Sequence, residues 1–543
     1  MNFKPIEFIH SLLVFDHTTS IRKTFNSDAK FLTLLLSLVV LLFLVASFVW
    51  NIELGRDWHR YFIYFFKFPA DPNLFTLPGT PLVLGTIAKG GFFAFYLFLF
   101  VAYLTTIFGS YYVARLFSQN MARIVSLLAL GHMQLTLIHV KLNSDPLFVM
   151  ACTLLAISLV RLYKQQDIYS YALIGLAILF AAMVRPIGQL FGILFLLPIV
   201  CFGFSKKNLL LAGVIFAVVV SGFAGVAVYH YSELGKFVIT EGSGGLIFRG
   251  AYLQSRVISP DNGPASKRLG KLVDQLVKDP IYKEAGITAD KFFSDPNKYY
   301  YYDMANAQPK SIQGVDNYME KIKFFSDVTK EAIAAKPIQY LQGVYKNISF
   351  TFTRVYDSGP LPLPPSKQDP DKKAAEKKCK YTASCYYPTK TTVASLRRAK
   401  FQDDAPQEQK DKQQMLKIYL ESVEEMFKST PFSPSPPTDS IGSYVRYYLG
   451  EFARSLIYKY PSMLTCAFLS VLLLIGVKQK EIRLTILFLI PSIACPAISS
   501  MIDPLANYRI PHDIYIMMGA AVALTLLVQL LLNIIGLENR KEA

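Results

Sequence analysis

The chain carries little charge for its length. Of 543 residues, 17% are Asp, Glu, Lys or Arg, against 52% hydrophobic and 14% aromatic. An ordinary soluble domain of this size needs about a quarter charged residues, so that class is excluded and lipid must form part of the solvent. Cysteine is also scarce. Six are too few and too scattered for a disulfide scaffold, and Cys152, Cys201, Cys466 and Cys495 sit in apolar runs where a thiol acts as a small hydrophobe. Cys379 and Cys385 lie instead in the polar stretch KKCKYTASCYY and are expected to bridge if that stretch faces an oxidising compartment. The seven histidines show no metal-ligand spacing. A cleavable signal peptide is not evident, because residues 1 to 15 mix charge with apolar positions and read as an interfacial helix. No internal repeat is seen, which counts against an inverted-repeat transporter.

What the chain does have is long apolar runs. Segments near 31–50, 92–114, 122–140, 146–163, 168–184, 187–204, 208–229, 461–477, 482–500 and 514–536 are each of a length suited to a hydrocarbon core of ~30 Å. The expected fold is an α-helical polytopic membrane protein of about ten transmembrane helices. Val184-Arg185-Pro186 divides two of these runs and is expected to form a tight turn at the membrane surface. The net charge of +17 would suit nucleic acid, but the basic residues are dispersed over loops and helix ends, so no nucleic-acid partner is expected.

Their distribution is topological. With the N-terminus inside, Arg22, Lys23, Lys30, Arg115, Arg123, Arg161, Lys164, Lys206, Lys207, Lys478, Lys480, Arg483, Arg540 and Lys541 all fall on the cytoplasmic side, as the positive-inside rule requires. Both termini are then cytoplasmic, and a cell inner (cytoplasmic) membrane is the expected location. Three parts follow: an N-terminal membrane module, 1–230, with its first outer loop at 51–91; an extracytoplasmic insertion, 231–460; and C-terminal membrane helices, 461–543. The insertion is mixed but mainly helical, with helical periodicity at 266–279 and 316–335. An interface-lying pattern occupies 336–356, and residues 366–412 have the composition of a poorly ordered segment. The tyrosines at 299–302 read as residues at the lipid headgroups. Asn347-Ile348-Ser349 matches a glycosylation sequon, a pattern common by chance.

The first outer loop, NIELGRDWHRYFIYFFKFPADPNLFTLPGTPLVLG, places Asp57 among Arg56, His59, Arg60 and Tyr61, with Glu53 one turn away. A carboxylate there can deprotonate an attacking hydroxyl or merely balance interfacial charge; on these residues alone the second reading is favoured. Arg185 and Arg509 lie at the outer ends of spans, where a lone cation is costly, and each is a phosphate ligand or a snorkelling residue. Asp145, in Asn143-Ser144-Asp145-Pro146, positions a substrate or an arginine, or simply starts a helix. Tyr508 and His512 flank Arg509 and either line a site or sit at the interface.

Four segments carry a resemblance. An acidic residue after the first span followed by FTLPGTPLVLG at 75–85, KLNSDPLFVMACTLLAISLVRLY at 141–163, IGLAILFAAMVRPIGQLFGILFLLPI at 174–199 and NYRIPHDIYIMMGAA at 507–521 occur in order. Together they resemble the membrane-embedded GT-C glycosyltransferases, in particular bacterial relatives of protein O-mannosyltransferases and lipid A aminoarabinose transferases. Where that family pairs Asp with Glu, this chain has Asp57-Trp58, leaving one carboxylate.

The resemblance implies transfer of a sugar from a polyprenyl-phosphate donor to a glycan, lipid or protein acceptor on the extracytoplasmic side. Asp57 would be the base, with inversion at the anomeric carbon. Arg185 and Arg509 would bind the donor phosphate, and Glu53, Arg56, His59, Tyr61, Asp145, Tyr508 and His512 would position substrate. Membrane lipids are the other expected partners. No cofactor is required; a divalent cation is compatible with this chemistry, but no residue spacing calls for one. Two other classes stay open: a flippase or transporter for a lipid-linked sugar, and an O-antigen ligase or polymerase-like enzyme using a diphosphate-linked donor.

Overall fold

The computed structural model describes residues 11–13, 28–50, 52–55, 57–68, 76–240, 244–278, 282–283, 286–296, 300–301, 304, 315–353, 407–428, 441–457, 462–502 and 508–534. The expected disulfide pair, Cys379 and Cys385, and Arg56 lie outside these residues.

The protein is α-helical. In chain order the membrane module comprises α1 (Ala29–Trp50), β1 (Glu53–Leu54), α2 (Trp58–Lys67), α3 (Gly79–Ala88), α4 (Gly91–Ala114), α5 (Gln119–Gly131), α6 (Met133–Ile138), β2 (Lys141–Leu142), α7 (Ser144–Gln165) and α8 (Ile168–Val184). A 3-10 segment (Pro186–Leu196) runs into α9 (Leu197–Phe202), and α10 (Lys206–Leu234) closes the module. The insertion contributes α11 (Gly244–Leu253), α12 (Pro264–Leu276), α13 (Ala289–Ser294), α14 (Val315–Ala335), α15 (Pro337–Thr353), α16 (Gln407–Lys428) and α17 (Ile441–Ile457). The C-terminal part holds α18 (Met463–Ser470), continued by 3-10 turns (Val471–Gly476), then α19 (Lys480–Ser500) and α20 (Ile510–Ile534).

Among the described residues six helices, α1, α4, α7, α10, α19 and α20, are long and apolar enough to cross a membrane. Their outward faces are apolar as well: Leu41 is 55% exposed, Leu210 70% and Val228 57%, which water would not tolerate but acyl chains do. Shorter apolar helices occupy 168–184, 186–202 and 463–476.

The run at 122–140 is not one helix. It breaks at His132, whose backbone leaves the helical region (φ −75°, ψ 83°) between α5 and α6. The fully buried His132 ring lies 2.9 Å from Asp513 Oδ2, so a polar pair holds the break in the interior.

The insertion has its own core. Phe248, Tyr252, Leu269, Val273, Phe292, Phe325 and Val328 pack together, with Tyr300 and Tyr301 against them. Tyr300 stacks on Phe292 at 4.3 Å, so this part of the tyrosine run fills a protein core; it was expected at the headgroups. Helix α15 packs on α18 and α19, burying Thr351 and Phe352. Asn347 of the sequon is buried too, a poor acceptor site in the folded chain. Helix α16 packs against α2, α4 and β1, with Tyr419 stacked on Phe66 at 5.0 Å and Val423 fully buried. Its first residues fall in the stretch whose composition predicted poor order.

Candidate active site at one end of the helix bundle

Two short strands bring the first loop to the start of α7. β1 and β2 pair in parallel, Glu53 with Lys141 and Leu54 with Leu142, and the Gly55 N–H donates to the Leu142 carbonyl at 2.9 Å. A Cβ on Gly55 would lie 2.9 Å from Asn143 Nδ2, so only glycine permits this approach. Glu53 is therefore a strand-pairing position beside the loop.

The chain then turns through Asp57, which holds a left-handed backbone (φ 64°, ψ 10°) before α2. A left-handed non-glycine residue is uncommon and favours Asp or Asn. Its carboxylate is 36% exposed and lies 3.7 Å from Arg60 Nε. His59 borders it, with partial desolvation and Arg60 holding the imidazole below the usual histidine range and the Asp57 charge opposing them.

One turn further, the Tyr61 hydroxyl donates to Ser144 Oγ at 2.9 Å. Burial raises the Tyr61 phenol above the usual tyrosine value, with Arg185 and the Ser144 bond opposing, so it remains a donor at neutral pH. Ser144 also accepts from Arg185 Nε at 3.0 Å, and Arg185 Nη2 pairs with Asp145 Oδ1. Asp145 is held from behind: Asn143 Nδ2 donates to its Oδ2 at 3.0 Å, and its own N–H donates to Asn143 Oδ1 at 2.7 Å. Asn143 thus starts α7 as an N-cap and orients the carboxylate as well.

The position of Arg185 follows from Pro186. A residue before proline is pushed out of the helical region; Arg185 is extended (φ −143°, ψ 130°), which ends α8. The PGTP turn packs against that end: Thr80 Oγ1 donates to the Val184 carbonyl at 3.0 Å, and a Cβ on Gly79 would meet the Met183 carbonyl at 2.6 Å. The Arg185 guanidinium lies over the rings of Phe148, at 5.6 Å, and Tyr508, at 5.8 Å, and 15% of the side chain stays exposed. Asp57, Tyr61, Asn143, Ser144, Asp145, Arg185 and Tyr508 therefore gather at one end of the bundle.

Arg509 precedes α20 and is enclosed by protein groups. Its guanidinium donates to Asp513 Oδ1 at 2.8 Å, to the Thr351 and Phe352 carbonyls at 3.0 Å each and to Gln134 Oε1 at 3.3 Å. With 3% of its side chain exposed, it caps the last turn of α15, whose carbonyls have no intrahelical partner, and ties the insertion to α20. His132, Gln134 and Asp513 complete this network. They were missed in the sequence, although His132, an ionisable residue within the apolar run 122–140, was a signal that pointed there.

His512 is fully buried, its ring 5.8 Å from Phe148 and 6.0 Å from Phe191. Among the described residues neither of its ring nitrogens has a hydrogen-bond partner. It lies behind the phenylalanine that carries Arg185.

Comparison of the chain with protein-family profiles, with characterised proteins and with solved structures found no match.

Proposed function

We propose that this protein is a GT-C-like glycosyltransferase that moves a sugar from a polyprenyl-phosphate donor to an acceptor hydroxyl at the outer face of a cytoplasmic membrane. The observation that carries the reading is the meeting of Tyr61 and Arg185 on Ser144, with the charges of Asp57 and Arg185 both acting on Tyr61. A carboxylate and a guanidinium at one membrane boundary are the two groups the reaction needs. Asp57 accepts the acceptor's proton as its oxygen bonds to the anomeric carbon, while the bond from that carbon to the phosphate oxygen breaks and its electron pair leaves with the lipid phosphate. One displacement inverts the carbon. Arg185 stabilises the charge developing on the phosphate, and Ser144 and Asp145 fix the plane of its guanidinium in advance.

The same reading takes about ten spans with both termini cytoplasmic. The shorter apolar helices support this count. The 3-10 segment 186–196 rises about 2.0 Å per residue, so it and the six residues of α9 reach about 31 Å together. The donor phosphate falls to Arg185 alone, because Arg509 serves the α15 cap.

The test is transfer by the purified protein with a panel of polyprenyl-monophosphate and polyprenyl-diphosphate sugars. Cleavage of a monophosphate donor with formation of a new glycosidic bond is expected. Cleavage of diphosphate donors alone would favour the ligase or polymerase class, and lipid movement without bond formation a flippase.

A further inference from the structure

The far end of the bundle carries a second polar feature. Helix α7 starts at Ser144, beside Arg185, and its 22 residues carry the chain about 33 Å away. There Tyr163, Lys164 and Gln166, at the end of α7, meet Phe202 at the end of α9 and Lys480 at the start of α19 around a cavity of about 130 Å³. That is room for about four waters, or for one phosphate group.

Its lining is selective in chemistry. Lys164, Lys480 and Gln166 line it together with Tyr163 and Phe202, whose rings stack at 6.4 Å. The nearby carboxylate, Glu481, is buried and accepts from the hydroxyl of Tyr163 at 2.5 Å. The Lys164 ammonium lies 5.9 Å over the Tyr112 ring, a cation–π contact at the rim of this region. Gln166 has a left-handed backbone (φ 47°), a conformation that costs free energy for a side chain of this kind. Close along the chain to Phe202 and Lys480 are exposed apolar side chains, with Phe204 81% exposed, Leu474 58% and Val477 46%.

We propose that this cavity binds the phosphate of an anionic phospholipid, with the lysines on the headgroup and the acyl chains along the apolar surface around Leu474 and Val477. Lysine suits a phosphate as a point charge, and the exposed apolar side chains select a lipid over a free anion. The site is independent of the transfer chemistry at the other end.

The experiment uses the full chain in a neutral maltoside detergent and reads bound lipid by native mass spectrometry. Dioleoyl phosphatidylglycerol, phosphatidylcholine and inorganic phosphate are the probes. Phosphatidylglycerol should be retained over phosphatidylcholine. Lys164→Gln and Lys480→Gln should each lower its retention about fivefold, singly if the double variant does not elute as a folded peak, and Lys→Arg at both positions should restore it. Unchanged retention in the Gln variants would overturn the assignment. Displacement of the lipid by equimolar inorganic phosphate would also overturn it, making this a free-anion site.

Discussion

Arg185 and Arg509 are both arginines at helix ends, and their surroundings give them opposite work. Arg185 is oriented by Ser144 and Asp145 and keeps part of its side chain at the surface, so removing it should act on the donor. Arg185→Gln is expected to raise the donor KM by about 10- to 100-fold, the worth of a hydrogen bond to a charged group, and to lower thermal stability as well, because buried Asp145 loses its cation; titration of initial rates against donor concentration reads the first effect. Arg509 is enclosed, and its removal leaves Asp513 buried with His132 alone. Arg509→Gln is therefore expected to cost about 3 kcal/mol of stability, and Arg509→Gln with Asp513→Asn should cost less than the single change. A thermal melt of the three proteins decides it; unchanged stability with lost donor binding would return Arg509 to the active site. Asp57 and Asp145 were both readable as candidate site residues from charge at a span boundary. The division between the two arginines was not, since it depends on the carbonyls of Thr351 and Phe352, which lie more than 150 residues away in sequence.

At the scale of elements, local chemistry often fixed the boundaries. Asn143, Asp167 and Ser205 cap the helices that follow them, and Pro186 ends α8 at Arg185, as the tight turn predicted there required. The helical periodicity at 266–279 and 316–335 and the interface-lying pattern at 336–356 marked α12, α14 and α15 to within a few residues. Two features escaped this reading for physical reasons. The break at His132 follows Gly131, the last residue of α5, but the partner that holds it lies on α20, and α16 packs on α2 through Tyr419 although its polar composition resembles a solvated segment. The start of α12 offers a test outside the membrane. Glu331 accepts from the Ala265 and Ser266 N–H groups at 2.9 and 2.8 Å. Burial raises its carboxyl, but these bonds outweigh burial and hold it below the usual glutamate value. A depressed carboxyl contributes stability that is complete above the unfolded value and lost as pH falls through the folded one. Glu331→Ala should thus cost the insertion about 1 kcal/mol at neutral pH and nothing extra in acid. Hydrogen exchange over residues 244–340 at both pH values reads the difference.

For the whole molecule, apolar runs were enough to identify an α-helical membrane protein, because lipid demands length and hydrophobicity that a sequence displays directly. The meeting of five distant segments at Arg185 was less legible, since none contributes more than a few residues and the geometry is set by packing at Gly55 and Gly79. Orientation can be checked by labelling single cysteines from outside the cell. Cysteines at His59 and Lys236 should react with an impermeant maleimide, and one at Lys478 only after the membrane is opened. The account rests most heavily on Asp57 acting as the base. Its most direct test is a single-turnover assay with a radiolabelled polyprenyl-phosphate sugar and the purified protein, comparing the native chain with Asp57→Asn. Transfer slowed by about 10²- to 10⁴-fold, with donor affinity and melting temperature unchanged, is the predicted result; a full rate in the Asn variant would contradict it.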